Sequence, residues 1–333
     1  MHVLSALPLT MQAIDVTAER QLQFVSRPLP AIAATDVLVK VAAAGVNRAD
    51  LVQRAGFYPP PAGESDILGL EVAGTVVACG AAVSTDWLGA EVFGLVPGGG
   101  YAGYVKMPAA HLLRRPSGMT VEAAAGCAEV FLTAYQAMFM LGELTAGQAV
   151  LLHAGASGVG TAAIQLAKAA GAQVAVTVGS DEKTAACLSL GADFAVNYKT
   201  ADFADVLKAA LPQGFNVIVD PVAADYLPKN LQVLGLDGRI VVLAMLGGRT
   251  VPAFDLTQMF KKRGQLICST LRNRTDAYKA DLISRFLAQF GSGLETGAIK
   301  PVIAKVLPWQ EAEAAHQLLA SNQLVGKVVL KVG

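Results

Sequence analysis

The stretch from Ala149 to Lys168 carries the sharpest chemical signal in the chain. An apolar run, Ala149–His153, leads into Gly155-Ala156-Ser157-Gly158-Val159-Gly160, and helix-forming residues follow. Glycines let the backbone turn tightly and bring its amides close to a pyrophosphate. The helix start behind them adds N–H groups without internal acceptors and a partial positive charge. Gly155 and Gly160 fall on the first and last glycines of the G-x-G-x-x-G dinucleotide fingerprint, Ser157 stands at the middle one, and Gly158 relaxes the same turn. The chemistry implied is diphosphate binding by Gly155, Ser157, Gly158, Val159 and Gly160. The bland alternative is a glycine turn of the sort any α/β protein contains.

The next apolar run bears on which dinucleotide is held. An NAD site usually places Asp or Glu about 20 residues beyond the glycines to bind the ribose hydroxyls. Here Val178-Gly179-Ser180 stands instead, leaving room for a 2′-phosphate. Lys183, one turn into the following helix, can supply the positive charge or can be an ordinary exposed lysine. Asp181 and Glu182 oppose the first reading unless they face solvent or complement the helix dipole. His153, at the end of the strand, is expected to tether backbone there, and His111 has no visible partner. Neither is expected to do acid–base work. Ser157 does not sit in the G-x-S-x-G elbow of a hydrolase.

The elements that position these residues follow from periodicity. Asp36–Ala44, Leu68–Val77 and a run joining the glycine turn at Val96 to Val105 are predicted strands, which makes the first third β-rich. Thr120–Leu144 is Ala-rich, free of Pro and predicted as helix. Beyond it, predicted strands at Ala149–His153, Gln173–Val178, Phe194–Asn197, Val217–Asp220, Arg239–Ala244 and Gln265–Ser269 alternate with helices, notably Val159–Ala170 and Asp181–Leu190. That alternation specifies an α/β, doubly wound parallel sheet. A helix over about Asp276–Gly291 and two strand-like runs follow, the last being Gly326–Val332. The arrangement expected is a nucleotide-binding domain at 124–271, inserted into a β-rich domain built from 1–123 and 272–333.

The chain has 333 residues, enough for about two domains. Hydrophobic residues make up 53% and charged residues 16%, against a usual charged share of about 25%. Either an oligomer interface hides part of the surface, or many Val, Ala and Leu positions are buried in a parallel sheet. The formal net charge is zero, which gives no footprint of nucleic-acid binding. No apolar run reaches the roughly 18 residues of a membrane span. Met1–Thr10 reads as a short extension and not a signal peptide. Cys79, Cys127, Cys187 and Cys268 lie far apart and make neither a metal motif nor a disulfide framework; they read as buried thiols of a reduced, cytoplasmic protein.

Several motifs together carry a resemblance. They are Gly45–Leu51 (GVNRADL), Tyr58–Pro61 (YPPP), Leu68–Gly74 (LGLEVAG), Gly98–Val105 (GGGYAGYV), His153–Leu166, Asn197–Lys199 (NYK), Asp237–Val241 (DGRIV) and Gly326–Leu330 (GKVVL). From about Met11 to the end, the chain resembles the zeta-crystallin-like quinone oxidoreductases, a zinc-free branch of the medium-chain dehydrogenase/reductase superfamily. The resemblance implies a GroES-like β-rich catalytic domain and a Rossmann domain with NADPH in the cleft between them. It also implies a homodimer formed through the Rossmann domains. It assigns the adenosine 2′-phosphate to Lys183 and Tyr198, and places Thr133 near the nicotinamide carboxamide. Zinc-containing relatives carry Cys where Asn47 stands and Gly-His-Glu where Gly69-Leu70-Glu71 stands, and their structural zinc loop is missing here. No metal is expected. Glu71 is expected to serve structurally, in a hydrogen bond or ion pair.

A quinone is electrophilic enough to take hydride without a Lewis acid, so the protein's task reduces to docking it and excluding water. No residue stands out as a certain catalytic acid or base. Asn47 can donate to the acceptor carbonyl, hold a ribose hydroxyl, or merely satisfy its own loop. Tyr58 can wall the substrate pocket or be a surface aromatic. Met245 and Leu246, beyond a predicted parallel strand, are placed to line the nicotinamide side. Thr270 and Leu271 end the last strand and can approach the cofactor. Lys327 can reach it too, or be a solvated strand lysine. The function expected is hydride transfer from NADPH to a quinone, with α,β-unsaturated ketones or aldehydes as alternative acceptors. A non-catalytic NADPH-binding protein is the remaining alternative.

Overall fold

The computed structural model describes residues 1–4, 6–252 and 254–333. Ser5, within the expected N-terminal extension, and Ala253 lie outside the described residues. The chain opens with β1 (His2–Val3), β2 (Thr10–Val16), β3 (Leu22–Pro28), β4 (Asp36–Val46), α1 (Arg48–Arg54), β5 (Glu71–Cys79), β6 (Glu91–Leu95), β7 (Tyr104–Pro108) and β8 (Leu112–Arg114). Short helices α2 (Val121–Ala125) and α3 (Ala128–Tyr135) lead to β9 (Ala149–His153), α4 (Gly158–Ala169), β10 (Gln173–Val178), α5 (Asp181–Ser189) and β11 (Phe194–Asn197). Then come α6 (Phe203–Ala210), β12 (Phe215–Asp220), α7 (Leu227–Val233), β13 (Leu234–Val242), α8 (Thr257–Lys262) and β14 (Gln265–Cys268). The chain closes with α9 (Asp276–Thr296), β15 (Ile303–Pro308), α10 (Ala312–Ala320) and β16 (Lys327–Lys331). Contacts divide it into two compact units, Met1–Val130 with Arg272–Gly333, and Phe131–Leu271.

The second unit is the α/β part. Its six strands run parallel in the order β11-β10-β9-β12-β13-β14. Counted along the domain this is 3-2-1-4-5-6, the doubly wound order in which connections leave β9 and β12 in opposite directions. All five residues of β9 are buried, as a central strand covered on both faces requires. Leu151, Phe215, Ile218 and Ile240 belong to the core beside it. Fully burying one such side chain contributes roughly 1.5–3 kcal/mol.

The first unit is built from both ends of the sequence. An eight-stranded sheet runs β15-β16-β4-β5-β6-β8, with β1 on β5 and β7 on β4. The strands β15 and β16 pair in parallel, and β16 pairs antiparallel with β4. Val39, Val41, Val72, Val92 and Leu330 pack together in its core. The α/β class with a Rossmann-type parallel sheet and a GroES-like β-rich domain is thus the fold observed.

Several elements differ from expectation for physical reasons. The predicted helix over Thr120–Leu144 is broken into α2, α3 and a π-helical turn at Gln136–Leu141. Gly126 ends α2, and a Cβ there would lie 3.0 Å from Ile303 Cδ1 and 3.3 Å from Val329 Cγ2. The strand predicted from Leu68 starts only at Glu71. Gly69 takes φ +98, and residues 67–69 instead accept backbone hydrogen bonds from Gly99, Gly100 and Tyr101. The latter half of the expected 96–105 strand shifts to Tyr104–Pro108. Helix α9 continues past Gly291 to a left-handed Gly297 at φ 73, and inside it Gly293 lets Ile299 pack close. Within the extension, His2 and Val3 join the sheet edge on β5. Cys268 is exposed, not buried, because β14 is an edge strand. No helix among the described residues is long and apolar enough to cross a membrane.

Candidate functional site

In the second unit, the fingerprint glycines sit where a larger residue would clash. A Cβ on Gly155 would lie 2.5 Å from Val176 Cβ, and one on Gly160 would lie 2.5 Å from Ala154 O. Ala154 takes the left-handed φ of 54, a conformation disfavoured for any residue with a Cβ. The turn it makes lets Gly155 N–H donate to Thr177 O at 3.0 Å. Ser157 caps α4: its Oγ accepts from Gly160 N–H at 3.0 Å. The serine at the middle fingerprint position therefore starts the helix. The first-turn amides of Gly158 and Val159 have no acceptor inside the helix. This cradle, with a twelve-residue helix behind it, fits a diphosphate.

The end of β10 gathers a second group. Ser180 caps α5 by accepting from Lys183 N–H at 3.3 Å. A Cβ on Gly179 would lie 2.6 Å from Tyr198 Oη and 3.6 Å from Lys199 Cε, so Tyr198 and Lys199 lie over this glycine. Burial first, and then the charge of Lys199, push the Lys183 ammonium below the usual lysine range. The structure thus brings Gly179, Ser180, Lys183 and Tyr198 together and adds Lys199, which sequence reasoning quoted in a motif but did not assign. Asp181, which counted against a phosphate, accepts from Asn197 Nδ2 at 2.8 Å. Two lysines crowding each other beside a glycine and a cap serine make a place where an anion is favoured.

His153 departs from expectation in its partners. It contacts side chains and not backbone, with Nδ1 2.8 Å from Thr177 Oγ1 and Nε2 2.7 Å from Asn230 Oδ1. Asn230 Nδ2 donates in turn to Asp220 Oδ2 at 2.8 Å. An amide oxygen only accepts, so Nε2 carries the proton and Nδ1 accepts from threonine. Burial holds this imidazole below its ordinary pKa against the pull of Asp220. It is a neutral, structural histidine.

Of the remaining expected cofactor contacts of this unit, all but Thr133 lie beyond strand ends. Met245 and Leu246 follow β13 with exposed side chains, while Leu246 N–H donates to Pro221 O at 3.1 Å and fixes the backbone. Exposed Thr270 and buried Leu271 follow β14, and Thr133 is half-buried in α3.

The first unit contains a buried polar cluster. Lys327 Nζ is 2.8 Å from Glu71 Oε1, 2.6 Å from Asn47 Oδ1 and 2.8 Å from Val46 O. Asn47 Nδ2 donates to Glu71 Oε1 at 3.0 Å, and Glu129 N–H donates to Glu71 Oε2 at 2.9 Å. Glu71 is fully buried and Lys327 is 4% exposed, which replaces the solvated strand lysine with an ion-paired one. Glu71 has the structural ion pair expected of it. Both ends of the Asn47 amide are engaged, with Nδ2 also making a long 3.5 Å approach to Gly45 O. One residue past Asn47, α1 begins; Asp50 accepts from Asn47 N–H at 2.7 Å, Gly69 N–H at 3.1 Å and Tyr101 Oη at 3.2 Å.

The acids around this cluster are strongly perturbed. Burial, then the neighbouring Glu71, push the Glu129 carboxyl up to about 8, against the pull of Lys327. Burial pushes Asp50 up to about 6, and its hydrogen bonds and Lys327 oppose the rise. Sequence reasoning missed Glu129; a lone Glu in an Ala-rich helical segment gives no hint that its neighbours are acidic. Tyr58 is half-buried, with the Arg272 guanidinium 5.4 Å from its ring centroid. His111, for which no partner was visible, has Nε2 3.3 Å from Asp276 O. Among the described residues no three His, Cys, Asp or Glu side chains form a group able to hold a metal ion.

Comparison with known proteins places these features. Residues 33–117 match the alcohol dehydrogenase GroES-like domain, and residues 158–288 match a family described as zinc-binding dehydrogenase. The quinone oxidoreductase of Rattus norvegicus is 30% identical over 305 residues, covering 91% of this chain and 91% of that protein. The synaptic vesicle membrane protein VAT-1 homolog of the same species is 30% identical over 325 residues, covering 92% of this chain and 80% of that one. A mycobacterial protein solved in complex with NADPH superposes with a TM-score of 0.84 at 29% identity, over 96% of this chain and 99% of the other. With this fold, these motifs and these relatives, the chain belongs to the zeta-crystallin-like quinone oxidoreductases of the medium-chain dehydrogenase/reductase superfamily, and it is an oxidoreductase of that superfamily.

Proposed function

We propose that the protein is an NADPH:quinone reductase that transfers hydride without zinc. The observation that carries this reading is the group at the end of β10. There Gly179, Ser180, Lys183, Tyr198 and Lys199 converge while Asp181 is engaged with Asn197. Such a group favours a 2′-phosphate over a free ribose hydroxyl, and the mycobacterial neighbour solved with NADPH agrees with that preference.

When bound, NADPH supplies hydride from C4 of its nicotinamide. The protein's residues do the rest. Gly155, Ser157, Gly158, Val159 and Gly160 hold the diphosphate, with the amides of the first turn of α4 facing its charge. Met245, Thr270 and Leu271 bound the nicotinamide side, and Thr133, Asn47 and Lys327 are assigned to the cofactor on the family resemblance. Asn47, Tyr58, Met245 and Leu246 are assigned to the acceptor. Zinc independence is supported by donor chemistry: Asn47 and Leu70 are poor zinc ligands, and the Asn47 amide is already engaged by Lys327 and Glu71. The division of labour is catalytic work in 1–123 and 272–333 and nucleotide binding in 124–271. A homodimer through the second unit is supported by its edge strand β14 and by the exposed Phe260, Leu256 and Leu266 nearby. Four free thiols support a reduced, cytoplasmic setting.

Calorimetric titration with NADPH and NADH, followed by turnover of a benzoquinone and of an enone, tests the reading. NADPH is expected to bind tighter than NADH, and the quinone to be reduced faster than the enone. Faster reduction of the enone transfers the assignment to α,β-unsaturated carbonyls. Tight NADPH binding without oxidation by either acceptor makes the protein a cofactor-binding protein instead. Stoichiometric zinc in the active protein overturns the metal-free chemistry.

A further inference from the structure

Arg272 is the first residue of the segment that returns to the first unit. It is 8% exposed, yet among the described residues its guanidinium donates only to neutral acceptors. One Nη donates to Gln53 Oε1 at 2.7 Å and to Tyr58 O at 3.4 Å, and the other donates to Pro97 O at 3.5 Å. Its Nε is buried with no hydrogen-bond partner among the described residues. Its own carbonyl accepts from the buried Lys279 Nζ at 3.0 Å, which fixes its backbone. A cation taken out of water without a directly paired carboxylate is expensive to keep. Glu71 and Lys327, close by in the same unit, are paired directly. Arg272 is built differently.

What it touches points to a use. Tyr58 lies in the Pro-rich loop 55–66 that follows α1. Arg272 holds this loop at Tyr58 O and through the Gln53 amide, and Gln53 Nε2 holds its far end by donating to Asp66 O at 3.0 Å. The guanidinium also lies 5.4 Å from the Tyr58 ring centroid. A cation against a phenol ring is attracted to its electron density and draws that density from the hydroxyl, so the O–H becomes a stronger donor. Burial first, and then the Glu129 charge, hold the Tyr58 phenol above its ordinary range, and Arg272 is the group that pulls it back.

We propose that Arg272 is a positioning residue for the hydride acceptor: it clamps loop 55–66 and strengthens the Tyr58 hydroxyl as a donor to the acceptor's carbonyl oxygen. As hydride reaches the acceptor ring, negative charge grows on that oxygen, and a polarised phenol beside a fixed cation stabilises it. Water supplies the proton that completes reduction. This inference rests on Tyr58 facing the acceptor, as proposed above.

The test combines kinetics with a readout that needs no turnover. kcat and KM for a 1,4-benzoquinone and the Kd for NADPH are measured for wild type, Tyr58→Phe, Arg272→Met, Arg272→Lys and the Tyr58→Phe/Arg272→Met double variant. Amide hydrogen exchange of residues 55–66 is followed in the same proteins. Arg272→Met is expected to lower kcat/KM by about tenfold with the NADPH Kd unchanged, and Arg272→Lys to recover part of the loss. In the Tyr58→Phe background the same change is expected to matter by less than about twofold. Loop exchange is expected to quicken in Arg272→Met. Equal losses in both backgrounds overturn the phenol role, and unaltered exchange overturns the clamp. Should Arg272→Met not fold, Arg272→Lys and Gln53→Leu carry both comparisons, since each removes part of the fork's contacts. If wild type binds NADPH but reduces no quinone, the functional reading and the phenol role fall together, and exchange alone decides the clamp.

Discussion

The Lys327 ammonium lies 2.8 Å from the Glu71 carboxylate, with both side chains almost wholly withdrawn from water. The pair joins the last strand of the chain, β16, to the start of β5, and Asn47 bridges it from the end of β4. Glu71 also receives the Glu129 amide, so its two oxygens serve three donors. Removing either partner leaves a buried charge alone.

Lys327→Met and Glu71→Leu are therefore each expected to lower stability by about 3–5 kcal/mol, the usual result of breaking one side of a buried pair. The double variant is expected to lose much less than the sum. Urea denaturation followed by circular dichroism measures this coupling; additive losses would show that the two residues do not act as a pair.

Lys183→Ala and Lys199→Ala should each weaken NADPH by about tenfold or more, since a charge-assisted hydrogen bond contributes roughly 1.5–3 kcal/mol. NADH affinity should hardly change. Fluorescence titration with both nucleotides is the check, and parallel losses for the two remove these lysines from phosphate binding.

Glu129 gives stability a pH dependence. Its folded pKa of about 8 lies above its ordinary 4.5, so the folded state binds the proton more tightly than the unfolded one. The stabilising contribution is complete below about 4.5 and is lost as pH rises towards and through 8. Glu129→Gln is expected to flatten the stability profile across that window. Denaturation midpoints at several pH values decide it, and an unchanged slope would place the titration elsewhere, with Asp50 at about 6 the next candidate.

Gly155→Ala should disturb the fold and the ligand together. The added methyl would lie 2.5 Å from Val176 Cβ, and overpacking of this kind costs about 1–3 kcal/mol. A lower melting temperature with weaker NADPH binding is expected. Wild-type values for both would mean that the turn is looser than the contact implies.

Phe260 is 85% exposed on α8, and Leu266 is exposed on the edge strand β14. Phe260→Asp combined with Leu266→Lys is expected to convert a dimer into single chains, as read by light scattering. A persistent dimer moves the interface to another face.

The parallel sheet was legible because its strands are apolar runs cut off by glycine turns. The bounds of β9, β10 and β11 agree with the reading from residues alone. The glycine turn after β9 was legible too: Gly160 answers to Ala154 and Gly155 a few residues before it, and Gly155 to Val176 on the next strand. What escaped depends on partners far away in sequence. The glycine at 126, where α2 ends, answers to Ile303 and Val329, and the burial of Lys327 to Glu71 and Asn47. The exposure of Cys268 follows from its strand lying at a sheet edge, which no local pattern announces. Lys199 and Glu129 draw their meaning from neighbours that only folding assembles.

Because β4 pairs with β16, the first unit cannot be completed until β16 has been made. During synthesis, the region from Phe131 to Leu271 emerges whole while the earlier strands still lack their neighbour. The parallel-sheet unit can thus mature first, and the arrival of Lys327 beside Glu71 is the event that locks the sheet of the first unit shut.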